Sequence, residues 1–388
     1  MGGDGLMATF KHSLRTAWHF VLRLLTRGPI PTCPSAPKRI LLVNGAHIGD
    51  VVIATSLLPV LKSAFPNAEI GFLTGTWSHA VVHDHPDVSH THCVDHWRMN
   101  RQIPGFLAKR VHYWKTRRRA LQEIRALSYD VSVHMHPWRA DFLPLAWQAG
   151  VPVRAAFGGG LFAPLANVLA HYPEYERFIH QGECQLQLLN ALGIAEEHLR
   201  CRRSSLAPSN EKAKQEVARV LGFSRIDQRA YTVIQMGAGL SIRELPIAFW
   251  HEVAERLSAH QTVLFTGKGA RESANAAQAI AGLANCVNAC DKLSWDGFVA
   301  AIRCAQTFYG VDSMASHIAA AVDTKCISLY SGLNNLARFR PDGENSIVWS
   351  NAVPCAPCHR QWGCPSMACM QGFDPNQILQ IQKASAIS

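Results

Sequence analysis

From Lys38 onward the chain alternates short apolar runs with amphipathic ones, and it does so in two successive rounds. "RILLVN" reads as a buried strand, "EIGFLTG" as the next, "VSHTHCVD" as the end of a third and "DVSVHMH" as another. Helices are expected over about 49–65, over 107–127 and over "DFLPLAWQAG". Residues 158–205 are less regular and close the first round. The second opens with the helix "NEKAKQEVARVLG", then "YTVIQMGAG" as a strand running into a glycine turn, and a helix starting at Pro246. "QTVLFTGKGA" repeats strand and glycine turn, "SWDGFVAAIRCA" is a helix, "QTFYGVDS" a strand, "SMASHIAAAV" a helix and "KCISLYSG" a strand. Alternation at this spacing builds parallel sheets, because each helix carries the chain back to the starting end of the sheet. The expectation is an extension over 1–37, one Rossmann-like domain over 38–205 and a second over 206–388. The two should face each other across a cleft that holds the active site.

A length of 388 residues exceeds one ordinary core, and 48% hydrophobic with 17% charged residues is a globular composition. No apolar run reaches the roughly 18 residues of a membrane span. The apolar positions near the start are interrupted by Lys11, His12, Arg15 and Arg23, and no small-residue cleavage site follows, so a cytoplasmic protein is expected. Residues 8–27 put Phe10, Leu14, Trp18, Val21 and Leu25 on one helical face, with Lys11, His12, Arg15, His19 and Arg23 on the other. "GPIPTCPSAP" then forms a stiff tether. Such a helix is either a membrane-surface anchor or a helix docked on its own protein or on a second subunit. The formal net charge of +10 asks for an anionic partner.

The first glycine turn, "NGAHIGDVV", has neither the G-x-G-x-x-G fingerprint nor a P-loop, and Asp50 stands where its helix begins. A carboxylate there either caps the helix or repels phosphate in favour of other chemistry. Anion sites appear in the second half instead. Asp312, Ser313, Met314 and Ala315 form a strand-to-helix turn whose backbone N–H groups can hold a diphosphate. Gly237 and Ala238 lie in a glycine loop with Arg243 at its far side, and Gly267, Lys268 and Gly269 precede Glu272. Three such turns at strand C-terminal ends point to a nucleotide diphosphate.

Cys355, Cys358, Cys364 and Cys369 form a C-x2-C-x5-C-x4-C cluster that can hold zinc or iron in a structural role, two strained disulfides or free thiols being the alternatives. The remaining cysteines sit singly in apolar segments. Lys109, Arg110, Lys115, Arg117, Arg118, Arg119 and Arg125 crowd one helix. Their density favours a phosphorylated glycolipid or a membrane surface over a merely solvated face. With no RNA-binding motif elsewhere, nucleic acid is not the expected partner.

The ordered set "GAHIGDVVIATSLLPVLKSAFPNAEIGFLT", "MGAGLSIRELPIAFWHEVAERL", "VLFTGKGARE", "GVDSMASHIAAAV" and "CAPC…CPSMACM" resembles family 9 glycosyltransferases, the ADP-heptose:lipopolysaccharide heptosyltransferases and their relatives. The resemblance runs from about Lys38 to Ile378. It implies the two-domain GT-B fold and an inverting transfer that requires no metal cofactor, in keeping with the lack of an Asp-x-Asp motif. It assigns Asp50 as the base that deprotonates the acceptor hydroxyl; His47 and Gly49 on the same turn, and Lys109 and Arg110 of the basic run, are expected as acceptor contacts. Ser313, Met314 and Ala315 match the segment that holds the diphosphate, with Asp312 before it and His317 behind. Arg243 matches a phosphate-facing lysine, and Gly267 and Glu272 match the loop around the adenosine. Departures are Arg243 for lysine, Met314 where glycine is usual, and "QMGAG" in place of a histidine–proline start. The resemblance implies an ADP-heptose donor, an anionic glycolipid acceptor and work at the inner face of the cytoplasmic membrane. Another nucleotide sugar, a protein or O-antigen acceptor, or a non-catalytic assembly role are the alternatives.

Overall fold

The computed structural model describes residues 16–24, 32–136, 142–173, 179–226 and 231–384. It divides into two compact units, Met1–Arg203 and Ser204–Ser388. The first contains α1 (16–24), β1 (Arg39–Val43), α2 (Ile48–Ala54), α3 (Leu57–Ala64), β2 (Glu69–Thr74), β3 (His90–Cys93) and α4 (Phe106–Leu127). It continues with β4 (Val131–His134), α5 (Leu143–Gln148), β5 (Val153–Phe157), β6 (Val168–Ala170), α6 (Gln181–Ala191) and α7 (Glu196–Leu199). The second runs α8 (Glu211–Leu221), β7 (Tyr231–Gln235), α9 (Ile247–Ser258), β8 (Thr262–Phe265), α10 (Ala270–Ala279), β9 (Cys286–Asn288) and α11 (Trp295–Arg303). It ends with β10 (Thr307–Val311), α12 (Met314–Ala321), β11 (Cys326–Tyr330), α13 (Leu336–Phe339), β12 (Ser346–Ser350), α14 (Ala368–Gln371) and α15 (Pro375–Ala384).

Each unit carries a six-stranded parallel sheet, ordered β3-β2-β1-β4-β5-β6 in the first and β9-β8-β7-β10-β11-β12 in the second. The order is the same in both. The chain winds outward from β1 to β3, then crosses back to β4, so the direction reverses between β1 and β4, and likewise between β7 and β10. In such sheets the ligand crevice lies at the carboxyl ends of the strands beside the reversal. The residues after β1 and β4, and after β7 and β10, are therefore the ones to examine.

The continuous helix expected over 49–65 is two helices, α2 and α3, parted at Thr55 and Ser56. Pro59 lacks an N–H and fits only in a first turn, so the helix has to restart just ahead of it, at Leu57. Thr55 Oγ1 back-bonds to Val52 O at 2.7 Å and helps end the first piece. The second sheet also extends beyond the expected strands, with β9 and β12 at its two edges.

Right-handed crossovers put α2 and α3 on one side of the first sheet and α4 and α5 on the other. Leu41 and Val43 of β1 pack with Ala120 and Ile124 of α4 and with Leu145 and Ala146 of α5. Val43 is in register with His134, and His134 with Ala156, so Ala156 faces the same side. Leu22 of α1 is buried against Ala156, Leu143 and Leu165. Trp18 meets the Phe162 ring edge-on. The described part of the N-terminal helix is therefore docked on its own domain, beside α5. Phe10, Leu14 and Leu25 of the expected stripe lie outside the described residues, as do Lys11, His12 and Arg15. In the second unit β7, β8, β10 and β11 bury Trp250, Val253 and Leu257 of α9, and Met370, Phe373 and Ile378 close the same core.

Candidate active site

At the carboxyl end of β1 the turn to α2 is held from three directions. Asn44, buried, donates from Nδ2 to Asp50 O at 3.2 Å and accepts the Ala46 N–H on Oδ1 at 3.1 Å. Trp77 Nε1 donates to Ala46 O at 2.8 Å. Trp77 can lie there because Gly75 has no side chain: a Cβ would overlap its ring. His47 is the N-cap of α2, and its N–H donates to Asp50 Oδ2 at 3.2 Å. The capping reading of Asp50 is realised. One oxygen caps the helix backward, and Oδ1 meets no protein donor among the described residues. Asp50 and Gly49 are half-buried at the mouth of the turn. The pairing leaves the carboxylate oriented and one oxygen open to a hydroxyl.

The other two expected acceptor contacts, Lys109 and Arg110, are on α4. Arg110 stacks its guanidinium over Trp97 and Phe106, at 5.5 and 5.4 Å from the ring centroids. Lys109 is half-buried on α4. The cation that meets the Asp50 turn is Arg101, whose Nη2 is 3.4 Å from His47 Nε2. Neither Asn44 nor Arg101 was legible as a site residue. Asn44 carried only the weak signal of a polar residue ending an apolar strand, and Arg101 sits 54 residues from its partner.

α4 itself is moored by two carboxylates. Asp95, buried, accepts Thr76 N–H at 2.7 Å and His112 Nε2 at 2.7 Å. Glu123 bonds His92 Nδ1 at 2.9 Å and Arg119 Nε at 2.8 Å. Burial would raise Glu123, but these two partners carry it below the usual carboxylate range.

In the second unit the loops after β7 and β10 meet across the reversal. Arg243 Nε is 3.2 Å from Asp312 Oδ2, and Arg243 Nη1 donates to Asp312 O at 3.4 Å. Burial raises the Asp312 carboxyl above its ordinary range, while Arg243 and an Asn334 hydrogen bond pull it back. Ser313 is the N-cap of α12, and its buried Oγ has no hydrogen-bond partner among the described residues. Met314 begins the helix, and Ala315 and His317 are buried behind it. An arginine, a helix N-terminus and an unsatisfied hydroxyl converge here, which suits an anion.

The glycine loops after β7 and β8 share one occupant, the side chain of Glu272. Its Oε2 accepts Lys268 N–H at 3.1 Å and Gln235 Nε2 at 3.3 Å. A Cβ on Gly237 would lie 2.6 Å from both Glu272 oxygens, and one on Gly267 would lie 2.7 Å from Oε2 and 2.9 Å from Cys290 Sγ. Burial raises the Glu272 carboxyl despite the Lys268 bond and Arg271. Glu244 accepts the Ala238 N–H at 2.9 Å and a forked pair from Arg271 at 2.5 and 2.7 Å, which fastens the β7 loop to α10. Lys268 is exposed, so its backbone, rather than its ammonium, does the structural work. The expected donor residues therefore fall in two groups at the strand C-terminal ends, Gly237, Ala238 and Gly267 around Glu272, and Ser313 beside the Arg243–Asp312 pair.

The tetrahedral knuckle expected from the cysteine spacing is not formed. Among the described residues no three His, Cys, Asp or Glu side chains converge as metal ligands, and the four cysteines are free thiols. Cys369 packs on the core of the second unit, whereas Cys355 faces solvent. Cys364 bonds Ser366 and nearby backbone N–H groups, and these hold its thiol below the ordinary value.

The description of glycosyltransferase family 9 (heptosyltransferase) matches residues 117–365, from the middle of α4 to the cysteine segment. The chain belongs to glycosyltransferase family 9. Its activity class is glycosyl transfer, and its two parallel α/β domains are those of the GT-B fold. Lipopolysaccharide heptosyltransferase 1 of Pseudomonas aeruginosa is 24% identical over 334 residues, spanning 82% of this chain and 86% of that one. The ADP-heptose lipopolysaccharide heptosyltransferase II structure from E. coli superposes with a TM-score of 0.70 at 18% identity, over 89% of this chain and 98% of that chain. The iron-containing dodecameric glycosyltransferase TibC of enterotoxigenic E. coli gives a TM-score of 0.52 at 12% identity, over 91% of this chain and 78% of that chain.

Proposed function

We propose that this family 9 enzyme transfers a heptose from ADP-heptose to a hydroxyl of a lipopolysaccharide-core-like glycolipid, with inversion, at the inner face of the cytoplasmic membrane. The observation that carries the reading is the open Oδ1 of Asp50 on a turn pinned by Asn44 and Trp77. Asp50 removes the acceptor proton as that oxygen forms its bond to the anomeric carbon. The bond from that carbon to the diphosphate breaks on the opposite face, and ADP leaves with both electrons. One such displacement inverts the anomeric centre and needs a single base, worth about 10²–10⁴-fold in rate. The negative charge that develops on the diphosphate is met by Arg243 and by the N–H groups at the start of α12. Arg243 exchanges part of its bond to Asp312 for phosphate oxygen. The names of the relatives support the choice of donor and acceptor class.

The test is mass spectrometry of a heptose-deficient core acceptor after incubation with ADP-heptose, alongside UDP-, GDP- and dTDP-sugars. A mass gain of one heptose from ADP-heptose alone supports the reading. Transfer from a different nucleotide sugar would keep the mechanism and remove the heptose. No transfer from any donor would sink the reading.

A further inference from the structure

We propose that the first unit docks on an anionic lipid bilayer through the outward face of α4, with α1 on the same side of the sheet. The inference deepens the reading above, in which the acceptor is presented by a membrane.

α4 buries Ala120 and Ile124, and on its opposite face it exposes apolar side chains in a row. Leu107 is 76% exposed, Val111 70% and Trp114 55%. At about 100° per residue these three fall within an arc of about 60°. Arg118 continues the arc, Arg110 and Arg117 border it on one side and Lys115 on the other. Arg117 lies over the Trp114 ring at 5.4 Å. The helix carries seven Lys or Arg residues (109, 110, 115, 117, 118, 119, 125) against one acid, Glu123.

That pattern selects its partner. Aliphatic groups as exposed as Leu107 and Val111 gain nothing from nucleic acid phosphates, and seven like charges oppose a second copy of the same face. A bilayer of anionic lipid accepts both parts: the apolar row enters the headgroup boundary, Trp114 sits at its level, and the cations meet lipid phosphates. The second helix repeats the pattern. α1 exposes Phe20 and Leu24 while Leu22 anchors it beside α5. A cavity of about 290 Å³ between α1 and the β5–β6 segment is lined in part by His19 and Arg23. No described helix is long and apolar enough to cross a membrane, so the geometry points to docking along the surface.

The test is co-sedimentation of the full chain with vesicles of phosphatidylcholine alone and with about 30% phosphatidylglycerol added, at low and high salt. The parent should bind the anionic vesicles, and high salt should release it. Leu107→Gln/Val111→Gln/Trp114→Gln should bind at least about tenfold more weakly, and Lys115→Gln/Arg118→Gln should lose about as much on anionic vesicles only. ADP binding by calorimetry should be equal in all three proteins. Unchanged vesicle binding by the triple variant, or no binding by the parent, overturns the proposal. So does a parent dimer that the triple substitution dissociates, which would make the face an interface between copies. A drop in turnover on a delipidated, water-soluble acceptor would assign the face to the glycan instead. Failure of the transfer reading looks different: vesicle binding intact in a parent that transfers no sugar.

Discussion

Arg243 and Asp312 stand 3.2 Å apart, one after β7 and the other after β10, and so bridge the point where the second sheet reverses direction. The pair is unequal. Asp312 is buried and surrounded by sheet, whereas Arg243 keeps part of its surface toward the mouth of the turn. The arginine is thus held in place by a partner it can share with an incoming diphosphate, beside a helix N-terminus and the unsatisfied Ser313 hydroxyl.

Removing the arginine should therefore cost both binding and stability. Arg243→Ala leaves Asp312 buried without its cation, and about 1–3 kcal/mol of unfolding free energy should be lost at neutral pH. Because burial already raises the Asp312 carboxyl, loss of Arg243 raises it further. A carboxyl raised in the folded state weakens the fold as pH climbs through and above the ordinary carboxylate range. The deficit against the parent should accordingly be small in acid and grow toward neutrality. Urea unfolding across that range measures it, and a deficit independent of pH would refute the pairing. Calorimetry should show ADP bound about 10–100-fold more weakly, with Arg243→Lys recovering part of the loss since charge survives while the fork does not.

Asp50→Asn tests the base without disturbing the cap. The amide oxygen can still accept the His47 N–H, so stability should change by less than about 1 kcal/mol. Turnover should fall by about 10²–10⁴-fold while ADP affinity stays level. Single-turnover kinetics beside calorimetry separates the two, and undiminished turnover would remove Asp50 from the chemistry.

Gly237 and Gly267 predict a non-additive pair of effects. An alanine at Gly237 drives a Cβ to 2.6 Å from both Glu272 oxygens, which are tied to Lys268 N–H and Gln235. Gly237→Ala should cost about 1–3 kcal/mol and weaken nucleotide binding. In a Glu272→Ala background the same substitution has nothing to strike, so its cost should largely vanish. A double-mutant cycle by urea unfolding reads the coupling, and simple additivity would show that the clash is relieved in some other way.

Buried histidines, His134, His96 and His92 among them, make the first unit acid-sensitive. Burial lowers His134 to about 3, with Arg154 adding to it, and lowers His96 to about 4, with Arg98 adding to it; burial also lowers His92, against the pull of Glu123. For a depressed histidine both states are neutral above its unfolded value of about 6.5, so that contribution to stability is intact there. As pH falls below it the unfolded chain gains the proton first, and stability drains away until the folded value is reached. The limiting slope is about 1.4 kcal/mol per pH unit for each fully buried histidine, and less for half-exposed His96. His96→Phe keeps the aromatic contacts to Trp97, Tyr113 and Phe142 and should flatten the decline between pH 6 and 4.5, in urea titrations on the order of one proton or less. A slope unchanged by the substitution would contradict the assignment.

How much of this could be read beforehand depends on the range of the forces involved. The strand-and-helix alternation is a local pattern, and the two rounds of it were legible as two parallel sheets. α10 was not, because "ARESANAAQA" offers only alanines as apolar side chains. β9 and β12 are edge strands with half-buried residues, which blurs the apolar run that marks β10 or β11. At the site, the turn residues Asp50, Arg243 and Ser313 declared themselves through glycines and strand ends. Asn44, Trp77 and Arg101 did not, since their roles come from partners that only the folded sheet brings near. The cysteine spacing permits a metal knuckle or free thiols alike, and the structure holds the four cysteines as free thiols.

Asn44 supplies the sharpest test of a residue that acts through another. It touches the Asp50 carbonyl and the Ala46 N–H, and neither contact involves the carboxylate itself. Asn44→Ala should leave the buried Ala46 N–H unpaired and strip Asp50 O of its second donor, at about 1–3 kcal/mol of stability. If the side chain positions the base, kcat should fall at least about tenfold, because a shift near 1 Å in a reacting group is costly, while KM for the nucleotide sugar stays level. Asn44→Asp keeps the acceptor for Ala46 but loses the donor to Asp50 and adds a charge near the base, so it should rescue neither rate nor stability. A loss of stability with kcat intact would reduce Asn44 to a structural residue and leave the orientation of Asp50 to the His47 N–H alone.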